Sequence, residues 1–113
     1  MQQPQDLPVG HAVFYAREQT VGIIYETYTF VDGPGARPGV SVILADGRDL
    51  SGFSAQEADQ FLQPLGDSSL DYAFTNVGQL HTDFRSGLFG QAMHEAQEML
   101  ISQKLAGNII LSK

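Results

Sequence analysis

Between Thr20 and Val31 the chain carries Val21, Ile23, Ile24, Tyr25, Thr27, Tyr28, Thr29, Phe30 and Val31, a concentration of β-branched and aromatic side chains found nowhere else along it. Such side chains lose rotamer freedom on a helix and fit a pleated surface, so this stretch is a strand and everything around it must pair with it or cover it. Gly22 inside the run marks a bulge or a sharp bend. His11–Arg17, aromatic and β-branched at its middle, reads as the strand before it. Val40–Ala45 is apolar at both alternating sets of positions and reads as a central strand after it. Between them Asp32–Gly39, with three glycines and two prolines, reads as a loop. Asp46-Gly47 suits a two-residue turn, which would set Ala45 opposite Arg48, Ile43 opposite Leu50 and Val40 opposite Phe53, with a fourth strand over Arg48–Phe53.

Ser54 followed by Glu57 has the pattern of a capping box, in which serine hydroxyl and glutamate satisfy each other's orphan amides. The helix so opened carries Ala58, Phe61, Leu62 and Leu65 on one stripe, and Pro64 and Gly66 close it. Leu70–Thr75 alternates as a fifth strand. Val77, Leu80 and Phe84 then share one face of a helix, with a break at Ser86-Gly87. From Leu88 to Leu105 an apolar stripe of Leu88, Phe89, Ala92, Met93, Ala96, Met99 and Leu100 defines a long amphipathic helix that Gly107-Asn108 stops. Ile109–Leu111 beyond it reads as an edge strand or as a segment docking on another chain.

A single α+β domain spans residues 1–113, with 1–9 as a polar tail. The order of elements resembles that of SH3-like barrels, which place a helical turn between their fourth and fifth strands. That resemblance implies a small, strongly bent antiparallel sheet of about five strands, with a short helix between strands four and five and the long C-terminal helix packed on the sheet. An open antiparallel sheet with all helices on one side is the alternative.

Composition narrows the function classes. No cysteine is present, which excludes disulfides, thiolate metal sites and cysteine nucleophiles and leans towards the cytoplasm. Met1–Asp6 lacks the basic and apolar regions of a secretory signal, and no apolar run approaches membrane-spanning length. Thirteen acidic residues against six basic ones give a net charge of −7, and the basic residues are scattered singly. Direct nucleic-acid binding is therefore not expected, since phosphate backbones are held by clustered cations. Acidity of this kind serves solubility; its sharper reading is a mimic of nucleic acid meeting a basic partner.

No motif announces catalysis, and no cofactor is implied. His81 with Asp83, and His94 with Glu98, could be imagined on a metal, but zinc needs three or four convergent ligands and no HExxH pattern occurs; a solvated helix face with a weak i,i+4 pair is the plainer reading. The Gly33–Gly39 loop enters a strand rather than a helix N-terminus and lacks the Gly-Lys-Ser/Thr ending of a phosphate loop. Ser86–Gly90, at a helix start, is a second weak anion pattern. The carboxylate pairs Asp46/Asp49 and Glu57/Asp59 fall in segments expected to be exposed.

Aromatic residues are the more suggestive group. Strand parity sets Tyr25 on the face opposite Tyr28 and Phe30, so the sheet has bulky apolar groups on both faces. Core packing is the plain reading; the sharper one is a binding surface built from Tyr25, Tyr28, Phe30, Phe53 and Met93. The expected function is a non-enzymatic accessory interaction module of a bacterium, binding a protein partner or a second copy of itself through the C-terminal helix region. One alternative is a binder of a small apolar ligand in a pocket between sheet and long helix, lined by Tyr28, Phe30 and Met93. The acidic nucleic-acid mimic is the other.

Overall fold

The computed structural model describes residues 9–32, 35–67 and 70–107; at 28–32, 35–38, 55, 59 and 67 it describes the backbone alone. Five strands, β1 (His11–Tyr15), β2 (Thr20–Asp32), β3 (Gly35–Leu44), β4 (Asp49–Ser54) and β5 (Leu62–Asp67), are joined by three helices, α1 (Ala55–Phe61), α2 (Val77–Arg85) and α3 (Gly90–Leu105). All strand pairs are antiparallel, in the order β4-β3-β2-β1-β5. The aromatic and β-branched run is thus the central strand, as its composition demands.

The sheet does not close. Among the described residues β4 and β5 form no ladder, so the SH3-like barrel is not made. The capping box forms as expected: Ser54 Oγ accepts from the Glu57 amide at 3.2 Å, and the Glu57 carboxylate accepts from the Ser54 amide at 3.0 Å. The helix it starts approaches β3, β4 and β5. Its Ala58 packs on the face formed by β1, β2 and β3, and the chain passes through this helix from β4 to the opposite edge of the sheet. Nor do the helices share one side. Val13, Tyr15, Ile24, Val40, Val42 and Leu44 pack with Ala58 and Leu62 on the α1 face. Ala12, Phe14, Val21, Ile23, Tyr25 and Ile43 pack with Leu80 of α2, with Phe89, and with Ala92, Met93, Ala96 and Leu100 of α3 on the other. Both faces are apolar because both are covered.

Several local expectations are corrected. Gly35–Gly39 is strand, not loop, and pairs from Asp32↔Gly35 to Tyr28↔Gly39. Pro38 is tolerated because β4 pairing stops at Gly39↔Ser54, so nothing on that side needs its missing N–H. The β3–β4 turn has three residues rather than two: Leu44 and Arg48 close it, Gly47 takes φ +95°, and the register is Ile43↔Asp49 and Val42↔Leu50. The expected Val40↔Phe53 pair survives because β4 carries an extra residue beside Gly52 (φ +89°), which restores the count. β2 bulges at Tyr25, not at Gly22. Gly22 is needed for room, since a Cβ there would lie 2.5 Å from Val42 Cγ1 and 2.9 Å from the Ile43 carbonyl oxygen.

The fifth strand is Leu62–Asp67, in place of the helix end expected there, and 70–76 forms no ladder. Leu70, Tyr72 and Phe74 nonetheless turn inward, alternating with exposed Asp71, Ala73 and Thr75, because they lie across the α3-face core. β5 is an edge of a protected kind: Pro64 has no N–H, the strand bulges at Leu65, and Gln103 of α3 donates to the Leu65 carbonyl at 2.7 Å. Residues 1–8 and Ile109–Leu111, for which a tail and a docking segment are expected, lie outside the described residues.

Candidate functional site

Of the residues expected to form an aromatic surface, the three with described side chains, Tyr25, Phe53 and Met93, do not meet on one. Tyr25 is buried on the α3 face against Phe74, their ring centroids 4.9 Å apart, and Met93 is buried in the same cluster. Phe53 sits across the sheet, half-buried, edge-on to Tyr15 at 6.0 Å. The Tyr28 and Phe30 side chains lie outside the described residues. The placed members of the set are packing material.

The polar constellations diverge as well. His81 Nε2 lies 2.7 Å from Asp49 Oδ1 at the start of β4, whereas Asp83, two residues on, accepts from the Tyr72 hydroxyl at 2.8 Å and from Gln79 Nε2 at 2.8 Å. Two residues of separation turn a helix by about 200°, so the pair cannot converge. His94 pairs with Glu98, at 3.3 Å on the exposed side of α3. Among the described residues no group of three His, Cys, Asp or Glu side chains could hold a metal ion. Glu18 and Asp46 both bind Arg48, and the Arg48 amide holds the Asp46 carboxyl below its usual range. Glu57 serves the capping box and Glu95 accepts from Gln91. These carboxylates are engaged one by one within the chain, rather than arrayed.

Unpartnered apolar surface is found instead at the C-terminal half of α3. Leu100 is buried against the sheet, and one residue on the helix has turned Ile101 to the opposite side, 58% exposed. Leu105, one turn later on the same side, is 85% exposed. Beside Ile101 runs a shallow groove of about 190 Å³, walled by Val21 and Leu100 and rimmed by Gln19, Thr20 and Gln97. It joins the β1–β2 turn to α3. Within that turn Gln19 takes φ +54°. Met93, expected to line a ligand pocket with Tyr28 and Phe30, is buried in the α3-face core, and the other two side chains lie outside the described residues.

Of the stripe expected over Leu88–Leu105, Phe89, Ala92, Met93, Ala96 and Leu100 are buried, Met99 is half-buried and Leu88 is exposed, and α3 itself begins at Gly90. Sequence reasoning passed over Ile101 and Leu105. The signal was available: both fall on the arc otherwise occupied by Gln91, His94, Gln97 and Glu98, where an apolar side chain gains nothing from the core. The other wall of the groove comes from a turn eighty residues away in sequence, and no local pattern announces it. No protein-family model, curated protein or solved structure matches the chain. Among the described residues no helix is long and apolar enough to cross a membrane.

Proposed function

We propose that the chain is a non-enzymatic interaction module, an accessory protein of a bacterial cytoplasm, that docks a polypeptide on the exposed end of α3 and the groove beside it. The observation that carries this is the pairing of Ile101 and Leu105 in water next to a groove with apolar walls. A second copy of the chain is the occupant we favour, because a two-fold contact buries both residues of both copies at once.

Magnitudes set the expected strength. Burying an isoleucine or leucine side chain contributes about 1.5–3 kcal/mol. Two such residues barely offset the 4 kcal/mol or more that association costs in lost freedom. Four contribute about 6–12 kcal/mol and leave roughly 5 kcal/mol at mid-range, which corresponds to weak association, on the order of hundreds of micromolar. The groove is smaller than the roughly 300–1,000 Å³ typical of small-molecule sites, which favours a side chain over a free ligand as its guest.

Light scattering coupled to size exclusion, with sedimentation at about 100–500 µM, is the test. The wild-type chain is expected to show a monomer–dimer equilibrium. Ile101→Asp with Leu105→Asp is expected to abolish it without lowering thermal stability, because neither side chain supports the core. A wild-type chain that stays monomeric throughout that range rejects self-association. Association unaltered by the double variant rejects the surface.

A further inference from the structure

Among the described helices α2 has the fewest ties to the sheet: α1 runs close to β3, β4 and β5, and α2 to none of the strands as closely. Of its nine residues only Leu80 is buried, whereas α3 buries four and runs close to β1, β2 and β5. Its hydrogen bonds are largely its own: Asn76 caps the first turn through the Gln79 amide at 2.8 Å, and Gln79 ties back to Asp83. Two polar contacts lead outward, Tyr72 Oη to Asp83 and His81 to Asp49. Phe84 adds apolar contacts, its ring lying over Gly47 in the β3–β4 turn and beside Phe89, with ring centroids 6.2 Å apart. The downstream flank is open, and the upstream one, although Leu70, Tyr72 and Phe74 lie on the core, has no ladder to break. Upstream, 70–76 belongs to no helix or strand; downstream, Gly87 has φ +94° and open space around it, as has Gly90 at the start of α3.

We propose that α2 is a latched strap: it releases as a unit while the sheet and α3 stay folded, and in doing so uncovers the apolar cluster that Leu80 closes, with Ile43 and Phe89 among its members. Asp49, the first residue of β4, is the keeper and His81 the catch. Nine residues are too few to hold a helix in water alone, so a released α2 melts, and its amides exchange with solvent. The inference does not rest on the docking surface, which lies at the other end of α3.

Residue-resolved amide hydrogen exchange on the full chain tests it. The amides of α2, Leu80 among them, are expected to exchange at least about a hundredfold faster than the β2–β3 ladder, at rates nearly independent of low denaturant. His81→Ala is expected to speed α2 about tenfold further, the size of a lost charge-assisted hydrogen bond, and to leave the ladder unchanged. Equal rates and equal denaturant dependence for α2 and the ladder overturn the strap. A His81→Ala variant in which both accelerate together, or α2 not at all, overturns the latch.

Discussion

Gly22 shows how a single missing side chain can be a packing requirement. Its hydrogen stands where a methyl group would press on Val42 Cγ1 at 2.5 Å and on the Ile43 carbonyl oxygen at 2.9 Å. The backbone oxygen cannot rotate away as a side chain can. Gly22→Ala is therefore expected to cost about 2 kcal/mol, within the usual range for overpacking, read as a lower urea midpoint at unchanged slope. From sequence this glycine reads as a bend, the ordinary meaning of glycine in a strand. Its real constraint is set by β3, and nothing local to Thr20–Val31 reports it. Ser41, between the bulges of β2 and β4, is buried with its hydroxyl unpartnered among the described residues. It is a site where the fold carries a polar group that its interior does not use.

At the scale of elements, legibility followed locality. The capping box at Ser54 and the stripe of α3 depend on residues three or four apart; the first forms as written, and the second does so from Phe89 onward, without Leu88. β5 does not depend on such spacing. Leu62–Asp67 has no β-branched residue and contains Pro64 and Gly66, so its strand character comes from β1 alongside it. Leu70–Thr75 has the alternation of a strand because one of its sides lies on the core, yet it has no ladder to join. What ties that segment to α2 is Tyr72. Burial, together with the hydrogen bond to the Asp83 carboxylate and its charge, pushes the Tyr72 phenol up to about 12, from the 10.0 of an exposed tyrosine. The folded chain thus keeps a proton that an unfolded chain gives up earlier. The contribution is full below about pH 10 and is lost as pH rises towards 12. Denaturant titrations at successive pH values are expected to show stability falling over that window, more steeply in wild type than in Tyr72→Phe. Phenolate absorbance of the folded protein is expected to show one tyrosine fewer titrating late in the variant.

The whole molecule is a sheet with two cores, and that arrangement was legible only in part. The α+β class, the first four strands and a C-terminal helix follow from periodicity, whereas the fifth strand, expected at Leu70–Thr75, is Leu62–Asp67. That the helices divide between the faces could be read from β3, where Val42 and Leu44 face one way and Ile43 the other, all buried. Barrel closure could not be read, because it turns on whether β4 and β5 meet across α1, a contact between segments with no shared pattern. The division makes the C-terminal half structural. A chain ended at Leu88 would leave Phe14, Ile23 and Tyr25 without Ala92, Met93, Ala96 and Leu100 above them. It is expected to give no dispersed amide spectrum and to aggregate. The candidate docking site was the least legible feature, since it pairs two residues on the polar arc of α3 with a turn from the opposite end of the chain.

The border formed by β5 carries a consequence for how copies can meet. Proline removes one rung, a glutamine side chain occupies another, and the strand's kink spoils the spacing of those that remain. Backbone from a neighbouring molecule therefore finds no template along this margin on which to stack. Growth into fibrous polymer is blocked there, and contact between molecules on that flank is left to side chains alone.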